Sequence, residues 1–571
     1  MSIVDQITTF RMTVGKETEA VVVNIQITNA SPLYAALLGR ISDENVVARI
    51  WAHDATVWSR NQDEIVNRLS WLDLPESMQS RIPRITAFVD AVRHDEYTHA
   101  VVLGMGGSSL APDVFARMFD AKRGFPQLRV LDSTHPEAVR QATAQLPLEH
   151  TLFIVTTKSG TTGETLALFR YFYRQLAALG RSVPVGNHFV AITDPNTPLV
   201  SLASSHGFRD IFLNDPNLGG RYSALSFFGL IPAALLGIDL EALLQNARDT
   251  AQLCSAEIPD TDNPAVQLGA LLAASALSGH DKATLLLSEQ ISPLADWIEQ
   301  LIAESTGKQG KGIVPVLETV QGDSFASSRD RAVFAIRVGE DPTQDSQVRR
   351  LAQIGLPIAQ VCLDSIRGLP GQFFVWEFAT AVACHILGVH PFNQPNVESA
   401  KQWARNAVEE SRTTGHRLDS SSQPISLDVC SQFLADIAPG DYVAIHAYLP
   451  PSQPLTEALQ SLQIALRAST SAAVTIGYGP RFLHSTGQLH KGDRGNGHFI
   501  QLVSSSLPDV AIPDSAGSDA SSLTFGALIT AQAVGDRQAL TAAGRPVLTL
   551  SVGDDPEEQI RLMARALESS E

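Results

Sequence analysis

Residues 151–165 read TLFIVTTKSGTTGET. The apolar run TLFIVT is typical of a buried strand, and the residues from Gly163 onward predict a helix. Between them lie several hydroxyl side chains, a lysine and a glycine, more than a helix cap alone requires. Open α/β sheets bind ligands at the carboxyl ends of their strands, so this segment predicts an α/β fold with an anion site.

Similar apolar runs occur on both sides of this segment and alternate with helix-like stretches. The runs predicted to be strands are 98–103, 128–132, 151–156, 188–193, 282–287, 332–338 and 357–362. Helices are predicted at 136–146 and 163–179. Buried strands that alternate with helices indicate parallel sheets covered on both faces. The pattern occurs twice, at about 97–235 and 265–400, without a close sequence repeat.

The two ends of the chain show other patterns. Near the N-terminus we predict a strand at 20–27 and helices from Ser31 and at 63–69. The polar stretch 411–424 predicts a linker. After it, strands are predicted at 442–448, 472–478, 499–503 and 546–552, and helices at 455–469 and 556–567. The predicted fold class is α/β, with two parallel-sheet domains and a C-terminal α/β unit. The predicted bounds are 1–90 for a mixed N-terminal region, 91–240, 241–410, and 425–571.

The composition excludes several classes of protein. Of 571 residues, 44% are hydrophobic and 18% are charged, as in average soluble globular proteins. The net charge of −18 disfavours general nucleic-acid binding, which depends on cationic side chains. The most apolar stretch, 224–236, is too short to span a bilayer. Four widely spaced cysteines predict reduced thiols, and we expect a cytoplasmic protein without a membrane partner.

A second candidate loop, GMGGSS at 104–109, directly follows a predicted strand. Its glycines let the backbone turn tightly and approach a ligand closely, and a following helix would direct its first N–H groups toward an anion. A tight turn without a ligand remains an alternative. The dinucleotide pattern GxGxxG with a downstream acidic residue is absent, as is GxxxxGK[ST]. A small phosphorylated substrate is therefore favoured over a nucleotide.

Two longer motifs carry a family resemblance. The segments NLGGRYS (217–223) and GVHPFNQPNVESAK (388–401) resemble the GGR[FY]S and [FY][DN]QxGVExxK signatures of glucose-6-phosphate isomerase. Asn396 stands where the family has glycine. The resemblance covers about 95–405. Segments 49–54, 67–73 and 479–492 are similar to the isomerase half of the bifunctional transaldolase/glucose-6-phosphate isomerase, although the chain has no room for a transaldolase barrel.

The resemblance implies two sugar-isomerase (SIS) domains that interconvert glucose 6-phosphate and fructose 6-phosphate through a cis-enediol, a step of glycolysis and gluconeogenesis. It implies no metal and no organic cofactor. It makes Glu304, in the motif ESxGK, the catalytic base, Arg221 the group that stabilises the enediolate, and Lys401 the group for ring opening. The implied substrate-binding residues are Gly107, Ser108, Thr157, Lys158 (mainly through its backbone), Ser159, Thr162, Gln300 and Gln394. Without the resemblance, Glu304 would be interpreted as a helix-end residue beside Lys308.

One element of the family pattern is missing. The family takes a histidine for ring opening from the segment after the catalytic glutamate, and in dimers it comes from the neighbouring subunit. Between Glu304 and Cys384 this sequence has no histidine. Either Lys401 acts alone or a histidine from elsewhere substitutes, with His484 and His490 as candidates. Their segment, 483–492, is too polar for a core and is predicted to be a loop, in which each histidine could also be purely structural.

Two other functions remain open. The chain could act on mannose 6-phosphate as well, since the preference between epimers depends on a few contacts around C2. It could also be a non-catalytic SIS-type sugar-phosphate sensor, which would keep loop 157–162 and could lose Glu304, Arg221 or Lys401. All three are present, which favours an enzyme. We expect a sugar phosphate as the partner, and a homodimer is left open.

Overall fold

The computed structural model describes residues 6–8, 24–180, 184–318, 329–414, 422–504 and 509–569. The chain divides into two compact units, each assembled from separate stretches of sequence. Unit 1 consists of Met1–Glu96, Leu110–Gln127 and Asn214–Asn393, and unit 2 of Tyr97–Ser109, Leu128–Leu213 and Gln394–Glu571. The domain bounds predicted from the sequence stay a prediction.

Most strands lie where the sequence predicts them, within one or two residues. In chain order the strands are β1 (Gln6–Thr8), β2 (Asn24–Thr28), β3 (His99–Leu103), β4 (Gln127–Leu131), β5 (Thr151–Thr156), β6 (Phe189–Thr193), β7 (Asp210–Leu213), β8 (Lys282–Leu287), β9 (Val314–Glu318), β10 (Arg331–Val338), β11 (Ile358–Leu363), β12 (Gln423–Pro424), β13 (Tyr442–Tyr448), β14 (Ala473–Tyr478), β15 (Gly497–Ser504), β16 (Ala511–Ile512), β17 (Leu523–Thr524) and β18 (Val547–Val552).

Helices connect these strands and cover the sheets. They are α1 (Pro32–Asp43), α2 (Val46–Trp51), α3 (Leu74–Ser77), α4 (Ile82–His94), α5 (Leu110–Met118), α6 (Pro136–Gln145), α7 (Gly163–Ala178), α8 (Pro198–Ser205), α9 (Phe227–Leu235), α10 (Leu240–Leu253), α11 (Pro264–Leu277), α12 (Leu294–Thr306), α13 (Pro342–Gln353), α14 (Leu369–Leu387), α15 (Val397–Thr414), α16 (Leu427–Leu434), α17 (Gln453–Thr470), α18 (Gly487–Gly492), α19 (Phe525–Ala542) and α20 (Pro556–Glu568). None of these helices is long and apolar enough to cross a membrane, as far as the described residues go.

Unit 1 contains one mixed sheet in the order β1-β2-β11-β10-β8-β9. The four strands from β11 to β9 are parallel, and β2 pairs antiparallel with β11. Helix α14 is apolar on nearly all sides and almost fully buried, as expected of a helix in the interior of a large core. Strand β9 was not predicted from the sequence. Its Pro315 cannot donate to a sheet, which is tolerated because β9 is an edge strand.

Unit 2 contains two larger sheets. The first has the order β4-β3-β5-β6-β7, with β3, β5, β6 and β7 parallel. The second has the order β12-β18-β15-β13-β14 and is parallel throughout. All residues of β5 and β13 are buried, as the continuous apolar runs in the sequence predict for strands covered on both faces. The predicted α/β class, with two parallel-sheet domains and a C-terminal α/β unit, is confirmed.

Two predicted segments, 63–69 and 411–424, differ from the structure. The helix predicted at 63–69 is wrong: this segment forms turns, because Glu64 has φ 57° and Leu69 forms an antiparallel bridge with Leu218. The linker predicted at 411–424 is wrong at both ends. Helix α15 continues to Thr414, and 423–424 form strand β12 beside β18. Residues 415–421, like 20–23 of the predicted first strand, lie outside the described residues.

Candidate active site

Glu304 lies near the end of α12 in unit 1 and is only 6% exposed. Gln300, one turn earlier, donates from Nε2 to Glu304 Oε2 over 3.1 Å. Arg221 Nη1 lies 3.5 Å from the same oxygen. Both contacts fall on Oε2, so Oε1 has no hydrogen-bond partner among the residues that the structure describes. A positioned carboxylate with one uncommitted oxygen can accept a proton from a carbon atom.

The guanidinium of Arg221 is held in one orientation by neighbouring polar groups of unit 1. Arg221 is 3% exposed and lies in a short 3-10 helix, Gly220–Tyr222. Its Nε donates to Ser305 Oγ over 2.8 Å, and its Nη2 donates to the carbonyls of Pro391 and Asn393. A rigid planar cation fixed in this way can stabilise negative charge that develops on a substrate oxygen. The structure therefore brings the predicted base and the predicted enediolate-stabilising group together.

His390 belongs to the segment 388–401 that carries the second family motif. Both nitrogen atoms of its ring form hydrogen bonds with backbone groups of unit 1. Its Nδ1 accepts from the N–H groups of Phe392 and Asn393, at 3.1 and 3.2 Å. The ring proton therefore lies on Nε2, which donates to the carbonyl of Asp63 over 2.9 Å. Burial lowers the pKa of His390, which keeps it neutral. These contacts indicate a structural histidine.

In unit 2, the glycine-rich turn and the hydroxyl-rich loop follow adjacent parallel strands, β3 and β5. A Cβ atom on Gly104 would lie 2.0 Å from Thr156 Oγ1, so only glycine allows this close approach. Thr156 Oγ1 donates to the carbonyl of Ser108 over 3.1 Å. Gly107 and Ser108 are thereby held at the same sheet edge as the loop 157–162.

The hydroxyl groups of loop 157–162 bond mainly to one another. The Oγ1 atoms of Thr157 and Thr162 are 2.7 Å apart, and Ser159 Oγ lies 2.9 Å from Thr161 Oγ1. Thr162 directly precedes α7, yet its side chain makes no capping hydrogen bond to the helix. The hydroxyls are thus not explained by helix capping, and the first N–H groups of α7 can serve an anion.

The two lysines predicted to contact substrate have different surroundings. Lys158 is ion-paired through Nζ with Asp194, so its ammonium group is already engaged by a carboxylate. Lys401 lies on α15 with 43% of its side chain exposed, and its Nζ lies 3.8 Å from Oε2 of Glu398 on the same helix. The charge of Lys401 contributes to lowering the pKa of Glu164, which places it near the first turn of α7. Gln394, which precedes α15, is exposed.

Glu164, in the first turn of α7, binds His484. His484 Nε2 lies 2.9 Å from Glu164 Oε1. Gln532 Nε2 donates to the same oxygen over 2.8 Å, and Gln532 Oε1 accepts from Thr134 Oγ1 over 2.8 Å. Burial raises the pKa of Glu164, but the charge and hydrogen bond of His484 outweigh it and lower the pKa to about 2. Glu164 therefore stays ionised and orients the imidazole.

The segment that carries His484 lies against the glycine-rich turn. The 3-10 helix Arg481–His484 packs on the turn Gly106–Ser108. Arg481 Nη1 lies 3.3 Å from Asp132 Oδ2, just after β4. His484 keeps 16% of its side chain exposed, so a ligand can reach it. The C-terminal part of unit 2 thus brings an imidazole to the sheet edge where loop 157–162 lies.

His490 is placed differently, and the loop predicted for 483–492 is wrong. Residues 487–492 form α18 and are all buried, and His490 is 3% exposed. His490 Nδ1 lies 3.2 Å from His446 Nε2, and His446 Nδ1 lies 3.2 Å from Asp536 Oδ2. Lys491 Nζ donates to Asp536 Oδ1 over 2.6 Å. This polar segment can be buried because its side chains bond to one another.

Burial and the neighbouring cations control the charges in this cluster. Burial, reinforced by nearby positive groups, lowers the pKa of His490 well below its usual value. Burial raises the pKa of Asp536, but the charges and hydrogen bonds of Lys491 and His446 together lower the pKa overall. The cluster is thus a neutral histidine pair on an ionised carboxylate. Throughout the described part of the chain, no group of three or more His, Cys, Asp or Glu side chains is suited to hold a metal ion.

Sequence reasoning missed the carboxylate and amide that support His484. Glu164 lies inside the loop that predicts the fold, but an acidic residue in a first helical turn usually indicates only a favourable helix dipole. Gln532 lies 368 residues further along the chain. No local pattern relates residues at that distance, so only the folded chain could reveal this contact.

Comparison with known proteins gives a consistent result. The family model for phosphoglucose isomerase matches residues 76–320. The glucose-6-phosphate isomerase of Thermus thermophilus is 31% identical over 386 residues, which cover 60% of this chain and 90% of that protein. The glucose-6-phosphate isomerase of Rubrobacter xylanophilus is 28% identical over 376 residues, covering 56% and 87%. The predicted family resemblance is confirmed, whereas the likeness to a transaldolase fusion stays a prediction.

Two solved structures share the fold. A hypothetical protein from Thermus thermophilus aligns with a TM-score of 0.59 and 24% identity over 67% of this chain and 99% of that chain. A glucose-6-phosphate isomerase from Chlamydia trachomatis aligns with a TM-score of 0.54 and 18% identity, over 68% and 88%. Identities this low show the fold alone.

Proposed function

Because this chain belongs to the phosphoglucose isomerase family, we propose that it interconverts glucose 6-phosphate and fructose 6-phosphate, a step of glycolysis and gluconeogenesis. The observation that carries the proposal is the cluster of unit 1, where a buried carboxylate lies beside a fixed guanidinium. Aldose–ketose isomerisation needs a base that moves a proton between C2 and C1, and a cation that stabilises the enediolate between the two transfers.

Glu304 is the base in this proposal. Its Oε2 is held by Gln300 and faces Arg221, while Oε1 has no partner among the described residues. Oε1 takes the proton from C2 of the open-chain aldose and returns it to C1, while the hydroxyl proton on the C2 oxygen moves to the C1 oxygen, which gives the ketose. Because the same oxygen receives and returns the proton, the carboxylate ends the cycle in its initial state.

Arg221 stabilises the charge that appears after the first transfer. When the C2 proton leaves, negative charge develops on the C1 oxygen. A guanidinium already fixed by Ser305 and by two carbonyls needs no reorganisation to stabilise that charge. In water the same ion contact would be worth far less, because the dielectric constant is higher.

In unit 2, the loop 157–162 with Ser108 is proposed to hold the phosphate group. Its hydroxyls donate to phosphate oxygens, and the uncapped start of α7 adds backbone N–H groups. Lys158 contributes through its backbone in this proposal, since its ammonium is paired with Asp194. Such contacts to a non-reacting group bind the substrate and the transition state about equally.

His484 is proposed to assist ring opening together with Lys401. Of the two candidate histidines, His484 is partly exposed and is oriented by an ionised carboxylate, Glu164. His490 is buried, and its Nδ1 is engaged by His446. An imidazole held by a carboxylate can donate a proton to the ring oxygen and remove one from the anomeric hydroxyl. A cytoplasmic location is part of the proposal and is supported by the four free thiols.

A coupled assay of fructose 6-phosphate conversion tests the activity, with mannose 6-phosphate as a second substrate. Conversion of fructose 6-phosphate to glucose 6-phosphate is the expected result. Tight binding of sugar phosphates without turnover would instead indicate a sensor. Turnover of mannose 6-phosphate at a comparable rate would extend the activity to both epimers.

The role of His484 is tested with a substrate that needs no ring opening. A tetrose 4-phosphate cannot close a ring through its phosphorylated oxygen, so its isomerisation requires only the proton transfer. His484→Ala should lower kcat on glucose 6-phosphate by about 10²-fold or more and leave the tetrose reaction nearly unchanged. His498→Ala is a matched control, because it removes another histidine–carboxylate contact of unit 2, 3.1 Å to Asp441. Equal loss on both substrates would assign His484 a structural role.

A further inference from the structure

Asn396 and Gln488 form a reciprocal pair of hydrogen bonds within unit 2. The backbone N–H of Asn396 donates to Gln488 Oε1 over 2.9 Å. Gln488 Nε2 donates in return to Asn396 Oδ1 over 2.8 Å. Gln488 is fully buried, with 0% exposure, and Asn396 is half-buried. Asn396 is also the residue that stands where the family signature has glycine. Glycine has no side chain, so the bond from Gln488 to Asn396 Oδ1 depends on this difference.

Gln488 is itself held firmly. It lies on α18, a helix of 6 residues that is too short to be stable in isolation. Tertiary contacts fix it: Lys491 Nζ bonds Asp536 over 2.6 Å, and His490 bonds His446 over 3.2 Å. Arg545 Nε also donates to the carbonyl of His490 over 3.1 Å. The buried polar cluster therefore anchors the helix from which Gln488 reaches Asn396.

Asn396 stands directly before α15, the helix that carries Lys401. Beyond this start, α15 packs closely on α19. A Cβ atom on Gly535 would lie 2.7 Å from the backbone nitrogen of Ala404 and 2.8 Å from the carbonyl oxygen of Ala400. The side chain of Lys401 is 43% exposed, and its ion-pair partner at 3.8 Å, Glu398, lies on the same helix, so the position of Lys401 depends on that of the helix.

From these contacts we propose that Gln488 is a positioning residue for Lys401. The amide pair with Asn396 fixes the first turn of α15, and thereby the place from which the ammonium of Lys401 reaches the substrate. The proposal rests on the proposed function, in which Lys401 acts in ring opening. Displacements of about 1 Å in a catalytic group can cost about 10²-fold in rate, so a fixed helix start matters for turnover.

The experiment compares Gln488→Ala with Gln488→Glu in the full chain. Gln488→Ala should lower kcat on fructose 6-phosphate by about 10- to 10²-fold and change KM little, because Lys401 acts on the reacting end of the sugar. Gln488→Glu keeps an acceptor for the Asn396 N–H but loses the donor to Asn396 Oδ1 and buries a charge, so it should recover only part of kcat. Gln463→Ala is the control: it removes another side-chain amide contact of unit 2, a half-buried one of 2.7 Å to the carbonyl of Val474, and should leave kcat unchanged.

Two further measurements separate this proposal from the proposed function. In a Lys401→Ala background, Gln488→Ala should cause no additional loss of kcat, and an additive loss would overturn the positioning role. Hydrogen exchange of residues 397–401 should accelerate in Gln488→Ala and not in Gln463→Ala. Unchanged exchange would also overturn it. If exchange accelerates while Lys401→Ala keeps full activity, the pair does position the helix, and it is the catalytic role of Lys401 that is wrong.

Discussion

Two buried ion pairs, Arg221–Glu304 in unit 1 and Lys491–Asp536 in unit 2, are built in different ways. The nitrogen–oxygen distances are 3.5 Å and 2.6 Å. In the first pair both recorded contacts of the carboxylate fall on one oxygen. In the second, Asp536 Oδ1 accepts from Lys491, and Oδ2 contacts His446 and accepts from Gln501 over 3.0 Å.

The two carboxylates differ in how many of their oxygen atoms already have a hydrogen-bond or ion-pair partner. A carboxylate saturated with hydrogen bonds holds elements of the fold together, and protonating it would break several contacts at once. A carboxylate with one uncommitted oxygen can exchange a proton at little structural cost. A buried charged group therefore indicates catalysis only when its hydrogen-bond partners leave one of its atoms available for proton transfer.

The largest effect is expected from Glu304→Gln, which tests the catalytic side of the comparison. The amide has the same shape but cannot accept the C2 proton, so kcat should fall by about 10²–10⁴-fold. The melting temperature should fall less than in Asp536→Asn, because the pair is longer, at 3.5 Å, and Arg221 keeps its hydrogen bonds to Ser305 and to the carbonyls of Pro391 and Asn393. Glu289→Gln, an exposed glutamate, is the control. Near wild-type turnover would assign the base to another residue.

Asp536→Asn tests the structural role of the Lys491–Asp536 pair. Removing one partner of a buried pair leaves the charge of Lys491 uncompensated, which costs about 3–5 kcal/mol in the free energy of unfolding. Urea unfolding followed by circular dichroism measures the loss. Asp519→Asn provides the contrast, because its partner Arg174 is 2.6 Å away but Asp519 is 88% exposed, and exposed pairs contribute about 0–1 kcal/mol. Equal losses in both variants would contradict the structural role of the cluster.

Replacing Ser159 and Thr162 together with Ala tests the binding loop. A hydrogen bond to a charged group contributes about 1.5–3 kcal/mol, so KM should rise about tenfold or more for each hydroxyl. Turnover at saturating substrate should change much less, because the phosphate does not react. Ser204→Ala, which removes an exposed hydroxyl of α8, is the control. A collapse of kcat with unchanged KM would show that the loop takes part in the chemistry.

Glu164→Gln should give the smallest effect, a loss of stability that is present above about pH 4.5 and disappears as the pH falls toward 2. The folded-state pKa of Glu164, about 2, lies below its usual value of 4.5, so folding favours the ionised form. The stabilisation by His484 is therefore present above about pH 4.5 and is lost as the pH falls toward 2. The variant should show a shallower acid dependence of the free energy of unfolding, measured by urea titration at several pH values. An identical pH dependence in the variant and the wild type would contradict a strong ion pair between Glu164 and His484.

Much of the fold was predictable because its signals are local. The strands Thr151–Thr156, Lys282–Leu287 and Tyr442–Tyr448 begin and end where the apolar runs do, since strands buried on both faces need continuous hydrophobic sequence. The segment 483–492 was mispredicted for the opposite reason. Its polarity indicates an exposed loop. The segment can be buried only because distant residues such as Asp536 form hydrogen bonds with its polar side chains.

By itself, the amino-acid sequence determined the α/β class, the hydroxyl loop after β5 and the candidates Glu304, Arg221 and Lys401, because each belongs to a contiguous motif. Only the tertiary structure distinguished His484 from His490. Glu164 and His484 lie 320 residues apart, and His446 and Asp536 lie 90 apart. Whether an imidazole is oriented by a carboxylate at a sheet edge or buried in a saturated cluster depends on distances that exist only after the chain has folded.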